Sequence, residues 1–127
     1  MDELSTDDAP ESIGPYSQGI RDNNRIFVSG QGPLDPDTSE VVSEDIREQT
    51  KRTLQNTEAI LEAGGSSLDN VVKATVFVTD MDDYDGVNEV YSEYMSEPFP
   101  ARSAIEVGNL PGPFDVEIEV IAKVPSE

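Results

Sequence analysis

The stretch VVKATVFVT, residues 71–79, decides the fold, because it is a strand placed between two helical patterns. Its β-branched residues alternate between two faces, as they do in a half-buried strand. One face carries Val72, Ala74, Val76 and Val78. Residues 43–63 before it, and the residues after Met81, repeat apolar side chains at spacings of three and four, so both segments are predicted helices.

Both predicted helices have recognisable ends. Ser43 is of a type that caps the first helix, and the pair Gly64-Gly65 ends it. The second helix opens at Met81 and ends before Pro98. Its apolar stripe includes three tyrosines, for which we expect a place in the helix core or in subunit packing: Tyr84, Tyr91 and Tyr94.

Two strands on each side complete the pattern. Residues 16–30 predict a hairpin, and residues 101–107 and 116–124 predict two neighbouring strands. The order ββαβαββ is typical of a two-layer α+β domain, in which both helices cover one face of a mainly antiparallel sheet. Since nothing in one chain covers the other face, we expect a partner subunit there. The chain 1–127 is predicted to be one domain with a frayed acidic tail at residues 1–12.

The composition removes several kinds of chemistry. The chain has 127 residues, of which 27 are Asp or Glu and eight are Lys or Arg, so its net charge is -19. It has no His, Cys or Trp. This excludes a Ser-His-Asp triad, a thiolate nucleophile and an imidazole metal site. Catalysis would have to use carboxylates, Arg, Lys, Tyr, Ser, Thr or backbone groups.

The charge also bounds the partners. We expect no nucleic acid, because tracking phosphates needs clustered Lys and Arg, and no anionic membrane. No apolar run approaches about 20 residues, and the acidic start MDELSTDDAP is unlike a signal peptide, so we expect a cytoplasmic protein. So acidic a surface repels itself until the Debye length falls to about 3 Å near 1 M salt, which predicts a halophilic protein.

Arg102 and Glu117 are the leading candidates for chemistry. Arg102 either forms a salt bridge with Glu117 or Glu119, or presents a fork that binds a substrate carboxylate. Glu117 is either a solvated surface residue or a carboxylate that holds or deprotonates a water. Strand alternation suggests that Arg102 shares a sheet face with Glu117 and Glu119, and it does not separate the two glutamates.

Three other positions are weaker candidates. The Tyr16 hydroxyl can overhang a pocket, although Tyr16 also suits a half-buried turn. Ser29 without a His is a structural residue or a hydrogen-bond donor rather than a nucleophile. Gly30 allows a backbone N–H to approach a ligand closely. The acidic runs at 35–37 and 80–83 lack metal-loop spacing, so no metal site is expected.

Several short motifs occur in order along the chain. They are AP at 9–10, IGPYSQ at 13–18, FVSGQ at 27–31, VFV at 76–78, VN at 87–88 with Tyr91, PARS at 100–103 and VEIE at 116–119. Taken together, these motifs resemble the RidA (YjgF-type) reactive intermediate deaminases. The resemblance extends from residue 9 to residue 124 and is most specific between 100 and 118.

The resemblance implies a chorismate-mutase-like α+β fold, assembled as a homotrimer with its pockets in the clefts between subunits. It implies hydrolysis of 2-aminoacrylate and related enamine/imine acids to 2-keto acids and ammonia, the reaction of a 2-iminobutanoate/2-iminopropanoate deaminase. It also implies that no metal or organic cofactor takes part. Two other functions stay open: a non-catalytic trimer that binds a 2-keto acid as a sensor or chaperone-like partner, and ribonuclease activity, against which the charge argues.

Roles carry over to matching positions. Arg102 matches the family's carboxylate-binding Arg, and Glu117 matches the Glu that positions the attacking water, which selects it over Glu119. The pocket residues Tyr16, Ser29 and Gly30 match as well. Ala104 stands where the family often has a Cys, and its backbone carbonyl remains available as a contact.

Overall fold

The computed structural model describes residues 1–125, which form six strands and two α-helices. The strands are β1 (Asp2–Leu4), β2 (Gly19–Asp22), β3 (Arg25–Gln31), β4 (Val71–Val78), β5 (Ala101–Glu106) and β6 (Val116–Lys123). The helices are α1 (Ile46–Ala63) and α2 (Tyr84–Tyr94). Single 3-10 turns, Leu68–Asn70 and Met81–Asp83, precede β4 and α2.

The strands form one sheet in the order β1-β2-β3-β6-β4-β5. All neighbours are antiparallel except β4 and β5, which are parallel and are connected through α2. Strands β5 and β6 follow each other in the chain but lie on opposite sides of β4, so the prediction that they are neighbours is wrong. The helical crossover brings β5 to the sheet edge, and the loop at 107–115 returns the chain to the far side of β4.

The core lies between the two helices and one face of the sheet. Strand β4 contributes Ala74, Val76 and Val78, and β6 contributes Val116 and Ile118, all of which are fully buried. The predicted two-layer α+β architecture and its mainly antiparallel sheet are therefore confirmed. Neither helix within residues 1–125 combines the length and the apolar character needed to cross a membrane.

The second face of the sheet is uncovered in the single chain and carries large apolar side chains. Phe27 on β3 and Ile105 on β5 are each 45% exposed. Val72, predicted on the core face of β4, is 40% exposed, because the pairing of β4 with β6 shifts register between Val71 and Lys73; this corrects the predicted face for Val72. Apolar side chains spread across several strands in this way are typical of a surface that another chain covers.

The N-terminal residues are ordered against the sheet, which corrects the prediction of a frayed tail. Strand β1 pairs with β2, and Leu4 is buried. The reason is a buried amide: the Gln18 Nε2 donates to the carbonyl oxygens of Thr6 at 3.1 Å, Ala9 at 3.3 Å and Pro10 at 2.8 Å. One side chain thereby holds residues 6–10 along the sheet.

The predicted hairpin and helices form, with shifted starts. The hairpin comprises β2 and β3 and turns through Asn23 at a φ of 55°. Helix α1 begins at Ile46, because the side chain of Asp45, rather than that of Ser43, accepts from the Arg47 backbone N–H at 3.0 Å. The hydroxyl oxygen of Ser43, two residues before the helix cap, instead accepts from the Asp45 N–H.

Candidate active site

A groove of about 560 Å³ opens beside β3 and β6. It exists because the β3–β6 register shifts between Val28 and Gln31, so that the end of β3 bends away from its partner. Five residues singled out in the sequence line it: Tyr16, Ser29, Gly30, Glu117 and Glu119. The remaining lining combines a third acid, Glu11, and several amide and hydroxyl side chains with apolar residues, which are Pro10, Ile13, Leu34, Pro111 and Phe114.

Glu117 lies directly on the backbone of Gly30. A Cβ added at position 30 would overlap the Glu117 Oε2 atom and lie 2.7 Å from its Cδ, so only glycine leaves room for this carboxylate. Burial raises the pKa of Glu117 above the ordinary glutamate value, and the nearby charge of Glu119 raises it further. No hydrogen bond within residues 1–125 holds either oxygen. This carboxylate is therefore suited to take a proton from a water.

Ser29 and Tyr16 form the polar rim of the groove. The Ser29 hydroxyl donates to the Ser17 carbonyl at 2.6 Å, so its oxygen faces other groups as an acceptor. Ser29 is not set up as a nucleophile, since its proton is committed to a backbone carbonyl. Tyr16 follows a tight turn in which its N–H donates to the Gly14 carbonyl at 2.8 Å, and its ring is 51% exposed at the mouth.

Arg102 lies elsewhere, on the helix-facing side of the edge strand β5. Its Nη2 donates to the Tyr84 hydroxyl at 2.8 Å. The guanidinium carbon lies 4.8 Å from the centre of the Tyr91 ring and 5.5 Å from that of Tyr84, both within cation–π range. Two aromatic rings of α2 therefore hold this cation.

Among residues 1–125, no carboxylate forms an ion pair with Arg102. The single ion pair within residues 1–125 joins Arg47 to Glu89 at 2.7 Å. A salt bridge between Arg102 and Glu117 or Glu119, one of the two interpretations from the sequence, does not form. The positive charge of the guanidinium is therefore available to bind another anion.

The two candidate groups lie on opposite faces of the sheet, which corrects the prediction of a shared face. Arg102 is opposite Ala74 in β4, whereas Glu117 is opposite Phe77, three residues along the same strand. An odd spacing places them on different faces. Two strand spacings and three residues of rise separate their Cα atoms by about 14 Å, so one chain cannot bring both groups to one small molecule.

Ala104 accompanies Arg102 rather than the groove. It is opposite Val76 and packs on the edge of the core, on the same face of β5 as Arg102. The predicted site residues thus fall into two sets. The structure gathers Tyr16, Ser29, Gly30 and Glu117 at the groove, and Arg102 with Ala104 at the sheet edge.

Comparisons with known proteins identify the family. The chain matches the family described as Endoribonuclease L-PSP over residues 6–124. It is 55% identical over 119 residues to a RutC family protein of Pyrococcus abyssi, which covers 94% of each chain. It is 43% identical over 122 residues, again 94% of each chain, to a Salmonella typhimurium protein named 2-iminobutanoate/2-iminopropanoate deaminase. The chain belongs to the RidA (YjgF-type) family.

Solved structures agree with the RidA-family assignment. A Thermotoga maritima protein superposes with a TM-score of 0.95 at 52% identity and covers 99% of both chains. The YjgF gene product of E. coli gives 0.90 at 42% identity, covering 97% of this chain and 98% of its own. E. coli TdcF with bound serine gives 0.92 at 38% identity, with the same coverage. The chorismate-mutase-like fold that the sequence resemblance implied is therefore confirmed.

Sequence reasoning on this RidA-family chain missed the residues that shape the groove. The buried Phe114 ring packs where side chains at 32 and 112 would be; a Cβ at Gly32 would lie 2.8 Å from its Cζ. The buried Asn56 on α1 donates from Nδ2 to the carbonyls of Gly32 at 3.1 Å and Leu34 at 2.9 Å. The signal that could have revealed Asn56 is its place beside the apolar stripe of a predicted helix, where a polar residue is unexpected.

Proposed function

We propose that the protein is a hydrolytic deaminase that converts 2-aminoacrylate and related enamine/imine acids to 2-keto acids and ammonia. The observation that carries the proposal is the half-buried Glu117, whose pKa is raised and whose oxygens hold no partner within residues 1–125. It faces a groove large enough for a small organic acid. Because Glu11, Glu117 and Glu119 line the groove and no Lys or Arg within residues 1–125 does, a cation that binds the substrate carboxylate would have to come from outside it. The deaminase name of the Salmonella typhimurium relative supports the same reaction.

We further propose that the working unit is a homotrimer in which Arg102 of one subunit reaches the groove of the next. Three observations support it. Arg102 and Glu117 of one chain face opposite ways, the sheet face bearing Phe27 and Ile105 is uncovered, and the Arg102 charge is unpaired within residues 1–125. The sequence resemblance supplies the number three.

The neighbour's Arg102 would fix the substrate carboxylate through two parallel hydrogen bonds. A guanidinium has five N–H donors, and the bond to the Tyr84 hydroxyl uses one of them. A carboxylate then neutralises the cation in a site shielded by two aromatic rings, where charge-assisted bonds are strong. Ala104, two residues along the same strand face, would bring a methyl group to this side of the cleft.

Chemistry would follow at the imine carbon next to that carboxylate. An enamine first tautomerises to the imine. Glu117 would take a proton from water while the water oxygen bonds to the imine carbon, and would pass that proton to the nitrogen, giving a carbinolamine. Glu117 would then take the carbinolamine hydroxyl proton and deliver it to the amino group, so that the C=O bond forms, the C–N bond breaks, and the keto acid and ammonia leave. The Ser29 oxygen, whose own proton is donated to the Ser17 carbonyl, would accept the imine N–H. The acid–base step would contribute about 10²–10⁴-fold, in addition to the effect of positioning.

A second function, the non-catalytic binding of a small carboxylate, is favoured by one observation: the related E. coli TdcF holds serine. This reading uses Arg102 and the same cleft, but it does not need Glu117 as a base. The ribonuclease implied by the family's description has no corresponding basic surface here, with eight Lys and Arg against 27 acidic residues.

The deciding experiment is ammonia release from 2-aminoacrylate, generated in place by a serine dehydratase, in concentrated potassium chloride. We expect acceleration by the wild type and its loss in Glu117→Gln and in Arg102→Ala. If the folded wild type gives no acceleration, the deaminase proposal fails. Binding of a 2-keto acid that is lost in Arg102→Ala and kept in Glu117→Gln would then establish the binding function.

The divided site has its own test. Arg102→Ala and Glu117→Gln are each inactive, but in mixed trimers one subunit's Arg102 meets another's Glu117. Random mixing at equal amounts restores about a quarter of the sites, because each site draws on two adjacent subunits. Light scattering of the same samples gives the subunit number. Mixed trimers with no recovered activity would contradict the divided site.

A further inference from the structure

The hydrogen-bond partner of Arg102 is a side chain without charge. Among the other arginines within residues 1–125, Arg21 and Arg25 donate to backbone carbonyls, Arg52 donates to an amide oxygen and Arg47 pairs with Glu89. Arg102 instead donates to the hydroxyl of Tyr84, the first residue of α2, at 2.8 Å. A phenol at neutral pH fixes a guanidinium N–H without cancelling its charge.

The one acid on β5 does not contact Arg102. Glu106 projects from the same face four residues further on, about 13 Å away by strand rise. Its Oε1 accepts from the Met81 backbone N–H at 2.8 Å, in the 3-10 turn before α2. The turn that precedes Tyr84 is therefore attached to the same strand that bears Arg102.

We infer that Tyr84 is a positioning residue: its hydroxyl orients the Arg102 guanidinium for binding the substrate carboxylate. The inference rests on the proposed function. The rings of Tyr84 and Tyr91 set where the cation lies, but attraction to a ring face does not fix rotation about the Cδ–Nε and Nε–Cζ bonds of the side chain. The hydrogen bond from Nη2 to the Tyr84 hydroxyl restrains that rotation and leaves the other N–H groups available to a ligand.

The test uses Tyr84→Phe, which keeps the ring and deletes the hydroxyl. We expect KM for the imino acid to rise about fivefold and kcat to change less than about twofold, because the hydroxyl orients the group that binds the substrate and does not itself contact the reacting atoms. The dissociation constant of the 2-keto acid product, measured by calorimetry, should rise by the same factor. Tyr94→Phe is the matched control, because the Tyr94 hydroxyl on the same helix contacts Gln55 at 3.4 Å and not Arg102.

Two further readouts separate positioning from a general structural effect. Guanidinium ¹⁵N NMR should show hindered rotation at Arg102 in the wild type and averaging in Tyr84→Phe, with Arg102→Lys assigning the signal among five arginines. In the Arg102→Lys background, Tyr84→Phe should have no further effect on KM, because the group it orients is gone.

The outcomes distinguish the two proposals. Unchanged KM and keto-acid binding in Tyr84→Phe, or unchanged guanidinium rotation, would overturn the role of Tyr84 while the deaminase stands. A wild type without turnover, whose keto-acid binding still weakens about fivefold in Tyr84→Phe, would overturn the deaminase and support the positioning role. A wild type that binds no keto acid and releases no ammonia would overturn both.

Discussion

The Arg102 guanidinium and the Glu117 carboxylate carry opposite charges and are positioned by different kinds of contact. Arg102 is fixed by a hydrogen bond and two aromatic rings, all from α2. Glu117 is held by no hydrogen bond within residues 1–125; it occupies the space left by the absent side chain of Gly30. The cation has defined side-chain contacts, and the acid is partly desolvated with a raised pKa. The proposed function assigns substrate binding to the first surface and proton transfer to the second.

The largest effect should come from the groove. Glu117→Gln keeps the size of the side chain and removes the base, so kcat should fall about 10²–10⁴-fold with KM nearly unchanged. Arg102→Lys keeps the charge and removes the fork, so KM should rise about tenfold with a smaller change in kcat. Steady-state kinetics of both variants would check this, and the reverse pattern would contradict the division of roles.

The Gly30 contact should give the next largest effect. Gly30→Ala places a methyl group where the Glu117 carboxylate lies, so the base moves and kcat should fall about tenfold or more. Gly108→Ala is the control, since a Cβ there meets nothing within 4 Å. Equal kcat in the two variants would show that the position of the carboxylate is unimportant.

The pH profile should sharpen the description of Glu117. Its pKa is raised by burial and by Glu119, and the ionised form is the base, so activity should be lost as pH falls through a value above that of an ordinary glutamate. Glu119→Gln removes one of these causes and should move the acid limb of kcat to lower pH. Glu11→Gln, which changes another acid at the groove, should leave the limb in place. An acid limb that stays at the same pH in Glu119→Gln would show that a group other than Glu117 causes it.

Salt should act in opposite directions on stability and on binding. The Arg47–Glu89 pair is about half exposed and contributes little to the free energy of unfolding. Added salt therefore mainly screens the repulsion among the acidic side chains. The thermal midpoint should rise by about 5 °C or more between 0.1 and 2 M potassium chloride. Screening of Arg102 should raise KM no more than about threefold. A midpoint that falls with salt would contradict the predicted halophilic character.

Local periodicity predicted most of the fold, and long-range register accounts for what it missed. The alternation in β4 and the apolar stripe of α1 are properties of short segments, and both elements formed as expected. The face on which Arg102 lies depends on its parallel pairing with Ala74, which no local pattern contains. For the same reason the sequence placed Tyr84 in a core stripe and gave no sign that its hydroxyl meets Arg102.

The candidate site was predicted in part. The positions of Tyr16, Ser29, Gly30 and Glu117 converge on one groove, and their chemical roles stay predictions. The ordered N-terminal residues were missed because a single buried amide, that of Gln18, replaces the apolar pattern on which sequence reading depends.

The contact between Glu117 and the bare Cα of Gly30 also limits how the groove can be re-engineered. Any side chain at position 30 displaces the acid, so a substitution there changes the position of the carboxylate. The apolar side chains of Ile13, Leu34 and Phe114 also line the groove, and none of them contacts position 30 in this way. A library of variants aimed at new substrates should vary those three positions and leave the strand bearing Gly30 intact. Substrate selectivity can then change while the position of the Glu117 carboxylate is kept.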